Sequence, residues 1–119
     1  MSLFRRLLGG AGGVEGEEDG ALIDRLREGG VDLARPLAVE HYLTLPSERM
    51  ARQLVAKLGN SGASVDLSSA LFGGHWTVRV TVSMVVTLER IEAMRERLGD
   101  FAEEHGGSYD GWGTSGRGV

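Results

Sequence analysis

The sequence predicts an α+β sandwich, and three observations carry that expectation. Two stretches, 37–45 and 76–85, alternate apolar and polar residues with a period of two, the pattern of strands that lay one face on a core. Two others, following Ser47 and Thr87, each carry one apolar stripe at helical spacing. From Leu37 the elements run strand, helix, strand, strand, helix, strand, which is the split βαβ order of ferredoxin-like domains. The expected fold is therefore a ferredoxin-like βαββαβ sandwich with an antiparallel four-stranded sheet and an extra N-terminal helix.

Each element has a local reason. Residues 1–8 are basic and apolar but lack the long apolar core and small-residue cleavage site of a signal peptide. Residues 9–20 are half glycine and hold Glu15, Glu17, Glu18 and Asp19, so 1–20 reads as a flexible leader and acidic linker before a domain at 21–114. Leu22, Ile23 and Leu26 share one face of a helix about two turns long that Gly29-Gly30 stops. After Arg35-Pro36, Leu37, Val39, His41, Leu43 and Leu45 form the apolar face of the first strand. Ser47 is placed to cap a helix whose stripe is Met50, Leu54, Val55 and Leu58. Val65 and Leu67 begin a short second strand, and Gly73-Gly74 turns into the third, with Trp76, Val78, Val80, Val82 and Met84 inward. Thr87 caps the last helix, Val86 and Ile91 hold the positions of a hydrophobic staple, and the stripe runs Leu88, Ile91, Met94, Leu98, Phe101. Gly106-Gly107 closes that helix. A short last strand, 108–113, pairs with the waiting sheet, and 115–119 is expected as a flexible tail.

Composition narrows the chemistry. The chain has 119 residues, no cysteine and a net charge of −4. The four acids of the linker account for that excess, since the other 13 acids match the 13 Lys and Arg. A balanced domain does not present the basic footprint of a nucleic-acid binder, so direct RNA contact is not expected. No apolar run approaches the roughly 20 residues that cross a bilayer. Without cysteine there is no disulfide framework and no thiol catalysis, which suits a cytoplasmic protein. The histidines His41, His75 and His105 lack metal-ligand spacing, and His41, in the apolar register, reads as a neutral core histidine satisfied by a hydrogen bond. No serine sits in a nucleophile elbow, and the glycine runs do not join a strand to a helix as a phosphate loop would. The reading is a non-enzyme with no metal and no cofactor.

The sheet face away from the helices is the better candidate. Parity puts Glu40, Tyr42 and Thr44 there beside Thr77, Arg79 and Thr81. In the last strand Tyr109, Gly111 and Gly113 share one side and Asp110 and Trp112 the other. If the glycines take the crowded helix side, Asp110 and Trp112 turn outward toward Tyr42. Tyr42, Arg79, Asp110, Trp112 and Glu40 then form a partner-binding surface of the residue types that dominate interfaces. The competing arrangement packs Trp112 under the N-terminal helix as core.

Four segments also resemble one family. They are Glu40-His41-Tyr42-Leu43-Thr44-Leu45-Pro46-Ser47-Glu48, the passage 59–65, the passage 84–88, and Tyr109-Asp110-Gly111-Trp112-Gly113. In this order they are similar to the regulator of ribonuclease E activity B family, over about residues 19–114. The resemblance implies a small cytoplasmic ferredoxin-like domain that binds the endoribonuclease, or another RNA-processing enzyme, and lowers RNA cleavage without being an enzyme. It also implies structural roles for Tyr109, Gly111 and Gly113 in the closing motif. The inhibitor type of that family carries a strongly acidic stretch after its Trp-Gly pair, whereas residues 114–119 here hold no acidic side chain. A second class of function stays open beside it: a ferredoxin-like module that forms a homodimer or senses a small molecule, with no ribonuclease role.

Overall fold

A computed structural model of the chain describes residues 15–59, 64–69 and 74–118. Of the expected leader and linker over 1–20, residues 1–14 lie outside them. In chain order the elements are helix α1 (Glu15–Glu28), strand β1 (Leu37–Leu45), helix α2 (Glu48–Gly59), strands β2 (Ser64–Ser69) and β3 (Trp76–Met84), helix α3 (Leu88–Glu104) and strand β4 (Ser108–Gly118). The four strands form one antiparallel sheet in the order β2-β3-β1-β4, which is the ferredoxin-like arrangement.

Odd-numbered residues of β1 face the helices and are buried, from Leu37 to Leu45, while the even ones are half-buried on the other side. β3 pairs with β1 from Leu37↔Met84 to Leu45↔Trp76, so Val78, Val80 and Met84 join the same core. Trp76 is partly buried against it. α2 lies over β2 and β3, and α3 over β4 and β1. The core between them includes Leu54, Leu58, Ile91, Leu98 and Ala102. Leu88, expected in the stripe, is instead exposed, because it occupies the first turn of α3 beyond the sheet's cover.

The caps form as the residue types require. The Met50 amide donates to Ser47 Oγ at 3.2 Å, and the Arg90 amide donates to Thr87 Oγ1 at 3.1 Å. Val86 and Ile91, flanking that second cap, are both buried. α3 ends in a Schellman motif: the Gly106 amide donates to Glu103 O and the Gly107 amide to Ala102 O, with Gly106 at φ 79°. Gly107 then passes so close to β1 that a Cβ would stand 2.1 Å from Thr44 O. Helix end and strand start are thus fixed by two adjacent glycines.

Two boundaries differ from the expectation. α1 starts at Glu15, inside the supposed linker, and Asp19 is buried because two side chains from distant elements bind it. β4 runs to Gly118, through most of the supposed tail, since β1 extends far enough to pair Leu37 with Gly118. α1 packs against α3 on the helix side of the sheet, with Ile23 in the core. Among the described residues no element covers the opposite face. No described helix is long and apolar enough to cross a membrane.

Candidate functional site: the uncovered sheet face

The face opposite the helices is built from alternate residues of four strands. Across β2, β3, β1 and β4 it reads, in successive rows, Ser64-Thr81-Glu40-Gly113 and Asp66-Arg79-Tyr42-Gly111. Ser68, Thr77 and Thr44 continue it, and Asp110 accepts a hydrogen bond from Thr44 Oγ1. Tyr42 and Arg79 are direct cross-strand partners at its centre.

Each central side chain is held by a neighbour. Arg79 Nη2 donates to Asp66 Oδ2 at 2.8 Å, and Arg79 Nη1 lies 3.7 Å from Glu40 Oε2. Glu40 Oε2 also accepts from the Tyr42 hydroxyl. Partial burial, followed by this bond to a carboxylate, pushes the Tyr42 hydroxyl up to about 12. The phenol therefore stays a donor at any physiological pH. Arg79 remains a cation, raised above its ordinary value chiefly by the bond to Asp66. Among the described side chains the face carries three carboxylates, Glu40, Asp66 and Asp110, against one guanidinium, Arg79, a negative balance. Gly111 and Gly113 put no side chain beside Tyr42 and Glu40 on the β4 side.

Four of the five residues expected on this surface are there: Glu40, Tyr42, Arg79 and Asp110. Trp112 is not. Its exposure is 1 %, and it stands opposite His41 on the helix side. The reason is a β-bulge. Tyr42 pairs with Gly111 but Leu43 pairs with Tyr109, so Asp110 is an extra residue in β4. Gly111 absorbs the irregularity at φ 145°. The insertion shifts the alternation by one, which sends Tyr109 and Trp112 to the core and puts Gly111 and Gly113 on the uncovered side. The glycines thus lie on the face opposite to the one expected.

Behind the sheet, Trp112 completes a polar cluster that sequence reasoning missed. Trp112 Nε1 donates to Asp19 Oδ1 at 2.9 Å, and Arg95 Nη2 donates to both Asp19 oxygens at 2.5 Å. The Arg95 guanidinium also sits 5.1 Å from the centre of the Tyr109 ring, within range of a cation–π contact. The Tyr109 hydroxyl and His41 Nδ1 are hydrogen-bonded at 2.8 Å. Burial, with a smaller contribution from Arg95, lowers His41 to about 4, so its ring is neutral. This agrees with its reading as a core histidine. One signal in the sequence pointed to the cluster: an acid, Asp19, four residues before Ile23 on a helix that has to dock. No group of three or more His, Asp or Glu that would hold a metal occurs among the described residues.

With this geometry in place, the comparison with known families is decisive. A protein-family model described as regulator of ribonuclease activity B matches residues 16–114. The chain belongs to that family. The match begins within α1 and ends within β4, so it takes in both elements that flank the expected core and the Asp19–Trp112 bond between them. No curated protein matches the chain significantly.

Proposed function

We propose that the protein is a non-catalytic regulator that binds a ribonuclease, ribonuclease E or another RNA-processing enzyme, and lowers RNA cleavage. Family membership supports the ribonuclease as partner, and the Tyr42–Arg79 pair on the uncovered face is the observation that carries the choice of surface. Tyr and Arg are the types that dominate binding energy at interfaces, and here both are already oriented by Glu40 and Asp66, so little side-chain freedom is lost on docking. The net negative charge of the face favours a basic protein surface and disfavours RNA phosphates. The regulator therefore acts by occupying the nuclease, not its substrate. Glu40 and Asp110 supply carboxylates at the margin of this contact.

The test uses purified ribonuclease E, calorimetry and an RNA cleavage assay. Wild-type protein is expected to associate at micromolar concentration and slow cleavage. Tyr42→Ala and Arg79→Ala are each expected to weaken association by about tenfold or more, the scale of losing an interface anchor. Absence of association rejects this nuclease as partner. Association that neither substitution weakens rejects the face.

A further inference from the structure

Because α2 and α3 lie over different pairs of strands, they leave a cleft between them on the helix side, away from the proposed docking face. Its volume is about 410 Å³. Leu58, Val80 and Leu98 form a buried floor continuous with the core, and Val82, Met94 and Phe101 stand half-buried around it. Lys57 and Arg97 line it as well, both exposed. Its lining contains no carboxylate, and neither Lys57 nor Arg97 has an ion-pair partner among the described residues. Asp100 and Glu104 lie farther along α3, in a shallower depression that shares Arg97 and Phe101 with the cleft.

We infer that this cleft binds a free fatty-acid-type carboxylate, with the alkyl chain over Met94, Val82 and Phe101 and the anionic head between Lys57 and Arg97. The apolar walls select a chain, because contact removes their surface from water at a gain proportional to area. Met is suited to such a wall, since its unbranched thioether adapts to the shape of what it meets. Lys57 and Arg97 select the sign of the head group, as the described lining of the cleft offers two cations and no carboxylate, the acids nearest to Arg97 lying in the adjoining depression. A cleft of this size falls within the range of small-molecule sites. The inference is independent of the ribonuclease reading, because the two surfaces lie on opposite sides of the sheet and binding is read directly.

The probe is sodium decanoate, kept below its micelle concentration, titrated into protein with labelled methyl groups and followed by NMR. Saturable shifts are expected at Met94 and Val82, with Thr44 and Thr77, on the uncovered face, unmoved. Decyltrimethylammonium, with the same chain and opposite charge, is expected to bind about tenfold more weakly. Lys57→Glu/Arg97→Glu, both exposed positions, should reverse that preference and leave thermal unfolding nearly unchanged. Shifts that do not saturate, shifts spread over both faces of the sheet, or equal affinity for the two amphiphiles would each overturn the proposal. A charge-reversed variant that still prefers decanoate would do the same.

Discussion

A single imidazole sets one part of the pH response. His41 is fully buried and lowered to about 4, against an ordinary value of 6.5. The unfolded chain takes up that proton below pH 6.5 and the folded one does not. The stabilisation is therefore complete above pH 6.5 and is lost as pH falls toward 4, by about 3 kcal/mol over the window. Urea unfolding of wild type and His41→Leu from pH 7.5 to 4 checks this: the difference between the two should narrow or reverse in that range, and parallel curves would refute it. Gly107→Ala belongs to the same scale. A methyl 2.1 Å from Thr44 O forces β1 and the α3 terminus apart, and a loss of more than about 3 kcal/mol is expected in the same assay. The burial of His41 and the closing role of Gly106-Gly107 were legible in the sequence, because each depends on strand parity or on the preference of one residue type. The partner of His41 was not, since Tyr109 is 68 positions away and no local pattern announces that pairing.

α1 and β4 depend on each other more than their sequences suggest. α1 offers few apolar residues, and Asp19 holds it through Arg95 and Trp112. Removing one member of such a buried pair leaves the other charge uncompensated, so Asp19→Ala is expected to cost about 3–5 kcal/mol. The triple substitution Asp19→Leu/Arg95→Met/Trp112→Phe replaces the cluster with apolar groups and is expected to recover most of that loss. In a Trp76→Phe background, Trp112 alone reports on docking: acrylamide should barely quench it in the parent and should quench it strongly once Asp19→Ala frees α1. Equal protection in both would show that α1 is held by other contacts. Gly111→Ala places a side chain at φ 145° and should destabilise by about 1–3 kcal/mol. The helices and three of the strands were readable because their periods are unbroken. The Trp112 side was misassigned because alternation assumes one residue per rung, and the bulge at Asp110 breaks that assumption. The acids at 15–19 read as linker because glycine lowers helix propensity, whereas tertiary bonds to Asp19 override it.

At the scale of the whole molecule, the sheet divides the protein into two chemically distinct sides. One is a polar face whose described side chains carry a negative balance, Glu40, Asp66 and Asp110 around Arg79; the other carries the helices and a cleft with two cations. Mutations on one side should leave binding on the other unchanged, since no described side chain reaches through the strands. The residues of the polar face were predictable as a set from β1 and β3 parity. The cleft was not, because it arises from the divergence of two helices, which no stripe of residues encodes.

The bond between Asp19 and Trp112 spans 93 positions, and β4 follows every other element in the chain. During synthesis, β1 therefore leaves the ribosome as an edge strand and waits for its second neighbour until almost the whole domain is out. Until then α1 is held only through α3 and Arg95, without the bond from Trp112, and the region behind β1 lies open to water, so the nascent protein is most exposed to proteases and aggregation in the seconds before β4 arrives.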